Sequence, residues 1–174
     1  MHIDLLRDNA KTFPKIENRL EILSLRIWHC KYQTLQPLAE FQNLEKLVIA
    51  SFPDDSLDIV VSLPKLRYLR ILHMPKISKL DALSSTQFIE VLSLSTSPSW
   101  DSSGKCTIVE SLKPIALMPS LKYLELFGVC PVDISLAELD GCRNLQTARF
   151  SRYPNDEVER FYRLTGVENQ YVSD

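Results

Sequence analysis

One pattern divides this chain of 174 residues: an apolar residue at the first, fourth and sixth places of a six-residue run. The copies are Leu20-Glu-Ile-Leu23-Ser-Leu25, Leu44-Glu-Lys-Leu47-Val-Ile49, Leu66-Arg-Tyr-Leu69-Arg-Ile71, Ile89-Glu-Val-Leu92-Ser-Leu94, Leu121-Lys-Tyr-Leu124-Glu-Leu126 and Leu145-Gln-Thr-Ala148-Arg-Phe150. They begin at residues 20, 44, 66, 89, 121 and 145, so the steps are 24, 22, 23, 32 and 24. A repeat of this period restricts the fold severely. One unit cannot bury its apolar face alone, whereas a stack of units buries it against neighbours.

Two further features keep phase with the first. Nine residues after the first apolar position stand Pro53, Pro75, Pro98 and Pro154; the fifth copy has Cys130 there with Pro131 next, and the first has His29. Proline lacks an N–H and fixes φ, so it ends a strand. Between the runs, apolar residues recur every third position, as in Leu35, Leu38, Phe41 and Leu44, or Leu112, Ile115, Met118 and Leu121. The same spacing holds at Ile77, Leu80 and Leu83 and at Leu136, Leu139, Cys142 and Leu145. It predicts short 3-10 or single-turn helical pieces, and Pro37, Pro64, Pro114 and Pro119 exclude long helices there.

Over residues 20 to about 164 the pattern resembles the leucine-rich-repeat family, whose unit reads LxxLxL and returns through an LxxL segment. The resemblance implies an α/β solenoid with a curved parallel β-sheet on the concave face and short 3-10 or helical turns on the convex face. The chain is similar to small, stand-alone bacterial-type members. It departs from the family at the position usually held by an asparagine after each run, where Trp28, Phe52, Met74, Ser97, Val129 and Tyr153 stand instead.

A single domain over 1–174 is expected. Residues 1–19 read as an N-terminal cap, 20–154 as about six repeats, and 155–174 as a C-terminal capping helix and tail. Val158, Phe161, Tyr162 and Leu164 have helical spacing, Asn155 is a candidate N-cap and Gly166 a candidate terminator. The 32-residue step holds an insertion near 95–107, serine-rich and containing Gly104, which reads as a loop. Trp100 within it is either anchored on the domain or presented to a partner.

The net charge of −2 argues against a general nucleic-acid binder, and no nucleic-acid partner is expected. No basic segment precedes an apolar run at the N-terminus, and no apolar stretch approaches membrane-spanning length, so neither export nor a membrane is expected. The four cysteines lack CxxC spacing and read as core filler in a reduced, cytoplasmic protein. The histidines form no HExxH, and GxSxG, GxGxxG and Walker A motifs are absent from the sequence. No catalytic, cofactor-binding or metal-binding residue is therefore nominated, no cofactor is called for, and the chain does not read as an enzyme. The acidic pair Asp54-Asp55 reads as solvated loop.

Alternation along a strand sends the third, fifth and seventh positions of each copy to the outer, concave surface. Partner-binding candidates on or around that surface are Arg26, Lys46, Tyr68, Arg70, His73, Tyr123, Glu125, Phe127 and Arg149, joined by Trp100 of the insertion. Tyr and Arg are the types enriched at interface hot spots. Acidic residues fall mainly in the return segments and the C-terminal cap, so a protein partner with an acidic surface is expected. The resemblance implies a non-catalytic interaction module that binds through its concave face and insertion loop. An immunity or inhibitor protein neutralising a cognate bacterial toxin is one such role. The alternative is a substrate-recognition or adaptor repeat of a ubiquitin-ligase or innate-immune-receptor type. An enzyme with a site beneath the insertion is disfavoured by the missing constellation. Oligomeric state stays open, an exposed end strand offering one route.

Overall fold

The computed structural model describes residues 1–170. It alternates strand and turn: β1 (His2–Leu6), β2 (Ser24–Trp28), β3 (Lys46–Ala50), β4 (Tyr68–Leu72), β5 (Val91–Ser95), β6 (Thr107–Val109), β7 (Tyr123–Phe127), β8 (Val129–Pro131) and β9 (Thr147–Ser151). Seven of these form one parallel sheet in the order β1-β2-β3-β4-β5-β7-β9. Every pairing is in register, so equivalent residues of successive repeats stand side by side; Leu47, Leu69, Leu92, Leu124 and Ala148 form one such row.

The returns are short, as the spacing of three requires. They are the 3-10 turns Gln36–Glu40, Asp81–Ser85 and Ala137–Leu139 and the single-turn helices α1 (Asp58–Val61) and α3 (Lys113–Ala116). Their inward residues Leu38, Ile59, Leu83, Ile115 and Leu139 meet the strand residues in one continuous core. At about 2 kcal/mol per fully buried aliphatic side chain, that shared core outweighs any single surface contact.

The first repeat has a different register from the one its leucines suggest. Leu20 and Leu23 are 60% and 44% exposed, while Ile22, Leu25 and Ile27 are buried. The first copy therefore begins at Ile22, not Leu20. Residues 1–19 also do more than cap, because β1 pairs with β2 and places Ile3 and Leu5 beside Leu25 and Ile27.

Left-handed residues, rather than the prolines alone, turn each strand out of the sheet. Arg7, His29, Ser51, His73, Gly128 and Arg152 each follow a strand directly and have φ between 50° and 70°. Five of these six are not glycine and accept a conformation L-residues disfavour. The exception is Thr96 after β5, which leads into the insertion.

Polar side chains of the return segments and the C-terminal helix join successive repeats. The Asp54 carboxylate accepts from the Thr34 hydroxyl at 2.6 Å and the Leu35 N–H at 2.8 Å. Glu138 takes the Leu112 N–H and Glu157 the Leu136 N–H, both at 2.6 Å. Each carboxylate satisfies the turn of the preceding repeat. Asp54 is thus a structural acceptor and not simply a solvated loop residue. A second ladder runs at the opposite strand ends: Asn43, Ser120 and Asn144 side chains donate to the carbonyls of Leu20, Gln87 and Pro119.

The C-terminal end is closed by α4 (Asn155–Thr165), which buries Phe161 and leaves Leu164 64% exposed. Pro154 occupies the N-cap position expected of Asn155, while Gly166 ends the helix at φ 71° as anticipated. The chain then bonds back to β9 through Glu168. Residues 171–174 of the expected tail lie outside the described residues.

Candidate protein-binding face

The concave surface is built by the outward residues of seven strands. β1 contributes His2 and Asp4; β2 Ser24, Arg26 and Trp28; β3 Lys46 and Val48; β4 Tyr68, Arg70 and Leu72. Farther along stand Val91, Tyr123, Glu125, Phe127, Arg149 and Ser151. Eight of the ten nominated residues share this sheet, all half-buried: Arg26, Lys46, Tyr68, Arg70, Tyr123, Glu125, Phe127 and Arg149. His73 stands just beyond β4 on the rim, and Trp100 on the insertion.

Charge on the face is organised in pairs. Arg26 donates to both oxygens of Asp4, at 2.7 and 2.9 Å, and His2 reaches Asp4 at 3.0 Å. These donors, Arg26 first, hold the Asp4 carboxyl below its ordinary value. At the other end Arg149 donates to Glu125 at 3.1 Å and stacks over Phe127, while Ser93 also donates to Glu125. Lys46 lies 4.6 Å from the centre of the Tyr68 ring, a cation–π contact. Four cations (Arg26, Lys46, Arg70, Arg149) meet two carboxylates (Asp4, Glu125) on this face, on a chain whose net charge is −2. Arg26 and Arg149 are committed to ion pairs within the face.

Among the described residues the face carries a small hollow lined by Tyr68, Arg70, Ser93, Tyr123 and Glu125 and two wider concavities. A hollow of about 320 Å3 is lined by His2, Arg26, Trp28, Lys46 and Arg70. A cleft of about 450 Å3 lies beneath the insertion, between Leu72, Phe127 and Pro98. Trp28, His2 and Asp4 were not nominated from sequence. With the first repeat shifted by two residues, Trp28 becomes its seventh position, and the alternation in His2-Ile-Asp-Leu-Leu6 was the available signal for β1.

The insertion is more ordered than a serine-rich loop. It holds the short helix α2 (Pro98–Ser102) and strand β6, which pairs with β8 as a second, two-stranded sheet. The Trp100 ring packs edge-on against His73, centroids 4.9 Å apart. Trp100 is thus anchored on the domain. Burial, with His29 nearby, pushes the His73 imidazole down from its ordinary value, favouring the neutral ring. Arg152 ties the insertion down through Asp101, at 2.8 Å to Oδ1 and by a second bond to its carbonyl. Burial pushes the Cys130 thiol up to about 12 and the half-buried Cys142 thiol to about 11; Cys30 and Cys106 are half-buried as well. Among the described residues no three His, Cys, Asp or Glu side chains gather as a metal site, and no helix is long and apolar enough to cross a membrane.

A solved structure of internalin C2 from Listeria monocytogenes, a leucine-rich-repeat protein, superimposes with a TM-score of 0.52 at 20% sequence identity. The fold is a leucine-rich-repeat solenoid. The match covers 75% of this chain and 52% of the internalin chain, so this solenoid spans about half the length of that relative. No family model matches the sequence, and no curated protein does. At this identity the likeness shows the repeat architecture alone.

Proposed function

We propose that this leucine-rich-repeat chain is a non-catalytic binding module that holds an acidic protein partner on its concave face, with the insertion as a second contact. The observation that carries this reading is the composition of the face. Tyr68, Tyr123, Phe127 and Trp28 stand half-buried among four cations on a rigid in-register sheet, in a chain that is acidic overall. Rings held in this way supply contact area at little conformational cost. Cations presented on the sheet, Lys46 over the Tyr68 ring among them, steer an acidic partner in and disfavour a basic one. The narrower form of the proposal is an immunity or inhibitor protein that covers the acting surface of a cognate toxin in the cytoplasm. The four free thiols suit a reducing compartment.

The test is affinity capture from the source cell at low salt, followed by mass spectrometry, with wild type beside the Lys46→Glu, Tyr123→Ala double variant. One dominant partner, acidic at its contact and retained at least tenfold less by the variant, is expected. A toxin supports the immunity role, and ligase components would favour the adaptor alternative. Partners retained equally by both proteins would overturn the concave-face reading.

A further inference from the structure

Of the two rings that close the insertion onto the strand ends, only that of His73 titrates. His73 leaves β4 at φ 65°, and its backbone is pinned on both sides. Its N–H donates to the Ser95 carbonyl at 2.7 Å, and its carbonyl accepts from the Phe52 N–H at 2.9 Å. The fold therefore aims the side chain. Its ring meets the half-buried Trp100 ring edge-on, with centroids 4.9 Å apart and planes at 80°. Nδ1 of His73 is enclosed and makes no hydrogen bond.

That enclosed nitrogen decides what the ring can carry. A neutral imidazole tolerates it, because with the proton on Nε2 the Nδ1 atom is only an unmet acceptor. An imidazolium carries N–H on both nitrogens, so its charge would be buried with one donor unmet. The neighbouring elements offer no relief. His29 stands across Ser51, with its Nδ1 3.2 Å from the Ser51 hydroxyl, and its charge opposes a proton on His73. Arg70 of β4 and Arg152 beyond β9 are positive as well. On the insertion, the Asp101 carboxylate is bonded to Arg152. Asp54, past the end of β3, accepts from Thr34 and Leu35, and Lys76 donates to the Pro53 carbonyl. Burial first, and then His29, hold the imidazole below its ordinary value of 6.5. With the backbone pinned, a protonated ring brings Nδ1 to water only by rotating its side chain. Rotation withdraws the ring from Trp100.

We propose that the His73–Trp100 contact is a pH-sensitive latch: proton uptake by His73 parts the rings and turns Trp100 from an anchor of the insertion into an exposed aromatic side chain. The closed latch binds the proton less tightly than the open one. It is therefore fully favoured above the ordinary histidine value and loses that preference as pH falls below about 6.5. Arg152 tethers α2 through Asp101 in both states, so opening frees a ring and not the whole insertion. The latch needs no partner and stands apart from the concave-face reading.

The chain has two tryptophans, so Trp28→Phe leaves Trp100 as the sole indole. In that background, acrylamide quenching of Trp100 fluorescence is measured from about pH 8 to about pH 5. The quenching constant should rise at least twofold on acidification, with a midpoint below 6.5 and constant far-UV circular dichroism. His73→Phe keeps a ring that takes no proton, and its quenching should stay low throughout. His73→Asn, which suits the left-handed exit, removes the ring, and its quenching should stay high throughout. His29→Gln lifts the opposing charge and should move the midpoint to higher pH. Four results overturn the latch. They are quenching that does not change with pH, quenching that falls on acidification as an imidazolium–indole attraction would give, the same rise in either His73 variant, and a rise abolished by His29→Gln.

Discussion

Arg152 donates through Nε to Asp101 Oδ1 at 2.8 Å across 51 residues of sequence, joining the rim of the last repeat to the insertion that follows the fifth strand. The arginine sits at the left-handed exit of β9, φ 69°, and the aspartate on α2. This ion pair and the Trp100–His73 ring contact together hold the wall of the cleft.

Arg152→Ala should loosen the insertion without unfolding the solenoid. Both partners are more than a third exposed, so the pair contributes only about 0–1 kcal/mol to global stability. Its local effect is larger, because without it the edge-on Trp100–His73 contact must carry more of the holding of α2 against the strand ends. Hydrogen exchange should show amides of residues 98–107 exchanging at least tenfold faster, with the melting temperature nearly unchanged. Unaltered exchange in that segment would show that the ion pair does not hold it.

The register of the first repeat has a direct test in two neighbouring residues. Ile22→Ala removes a fully buried side chain and should cost about 2–5 kcal/mol. Leu20→Ala trims a side chain that is 60% exposed and should change stability by less than about 0.5 kcal/mol. Urea denaturation of both variants is the measurement, and a reversed order would restore the register that begins at Leu20.

How far the sequence is readable follows from these same residues. In the copies from Leu44 onward a shift of two residues brings Lys46, His73, Thr96, Gly128 or Arg152 into the triplet, so fold and facing were legible together. The first stays apolar under that shift, as Leu20-Leu23-Leu25 or Ile22-Leu25-Ile27, and pairing with β1 and β3 selects the second. A shift of two residues preserves alternation, which is why Arg26 remains on the concave face in either register. The Glu125–Arg149 ion pair was within reach, since both occupy the fifth position of successive copies and strands in register bring them together. The cleft was not. It depends on the backbone conformation of Thr96, and no residue type at that position announces that the outward turn is omitted.

The carboxylate ladder predicts unequal roles for two adjacent aspartates. Asp54→Ala strips the acceptor from the Leu35 N–H and the Thr34 hydroxyl at a partly buried turn. It should cost about 1–3 kcal/mol. Asp55 is exposed, and Asp55→Ala should be close to neutral. Chemical denaturation of the two variants side by side checks the contrast, and equal values would show that Asp54 is only solvated.

Glu157 gives the ladder a dependence on pH. Its carboxylate is bonded by Arg160 through two nitrogens, at 2.7 and 3.0 Å, and accepts from the Leu136 N–H and the Ser135 hydroxyl. Arg160 first, and then the backbone N–H, pull the carboxyl down to about 2 from an ordinary 4.5, against the opposing effect of burial. A carboxyl lowered by folding stabilises the native state fully above its unfolded value and loses that contribution as pH falls through the folded one. Glu157→Gln keeps an oxygen for the Leu136 N–H but removes the charge. Wild type should therefore be the more stable protein at pH 6, and its margin over the variant should shrink as pH falls from about 4.5 towards 2. Arg160 remains charged throughout, and its second partner Asp140, at 2.8 and 3.1 Å, is present in both proteins. The difference between the two melting curves across pH thus isolates the Glu157 carboxylate. A margin that stays constant down to pH 2.5 would mean that Glu157 titrates in the folded protein as it does in the unfolded chain.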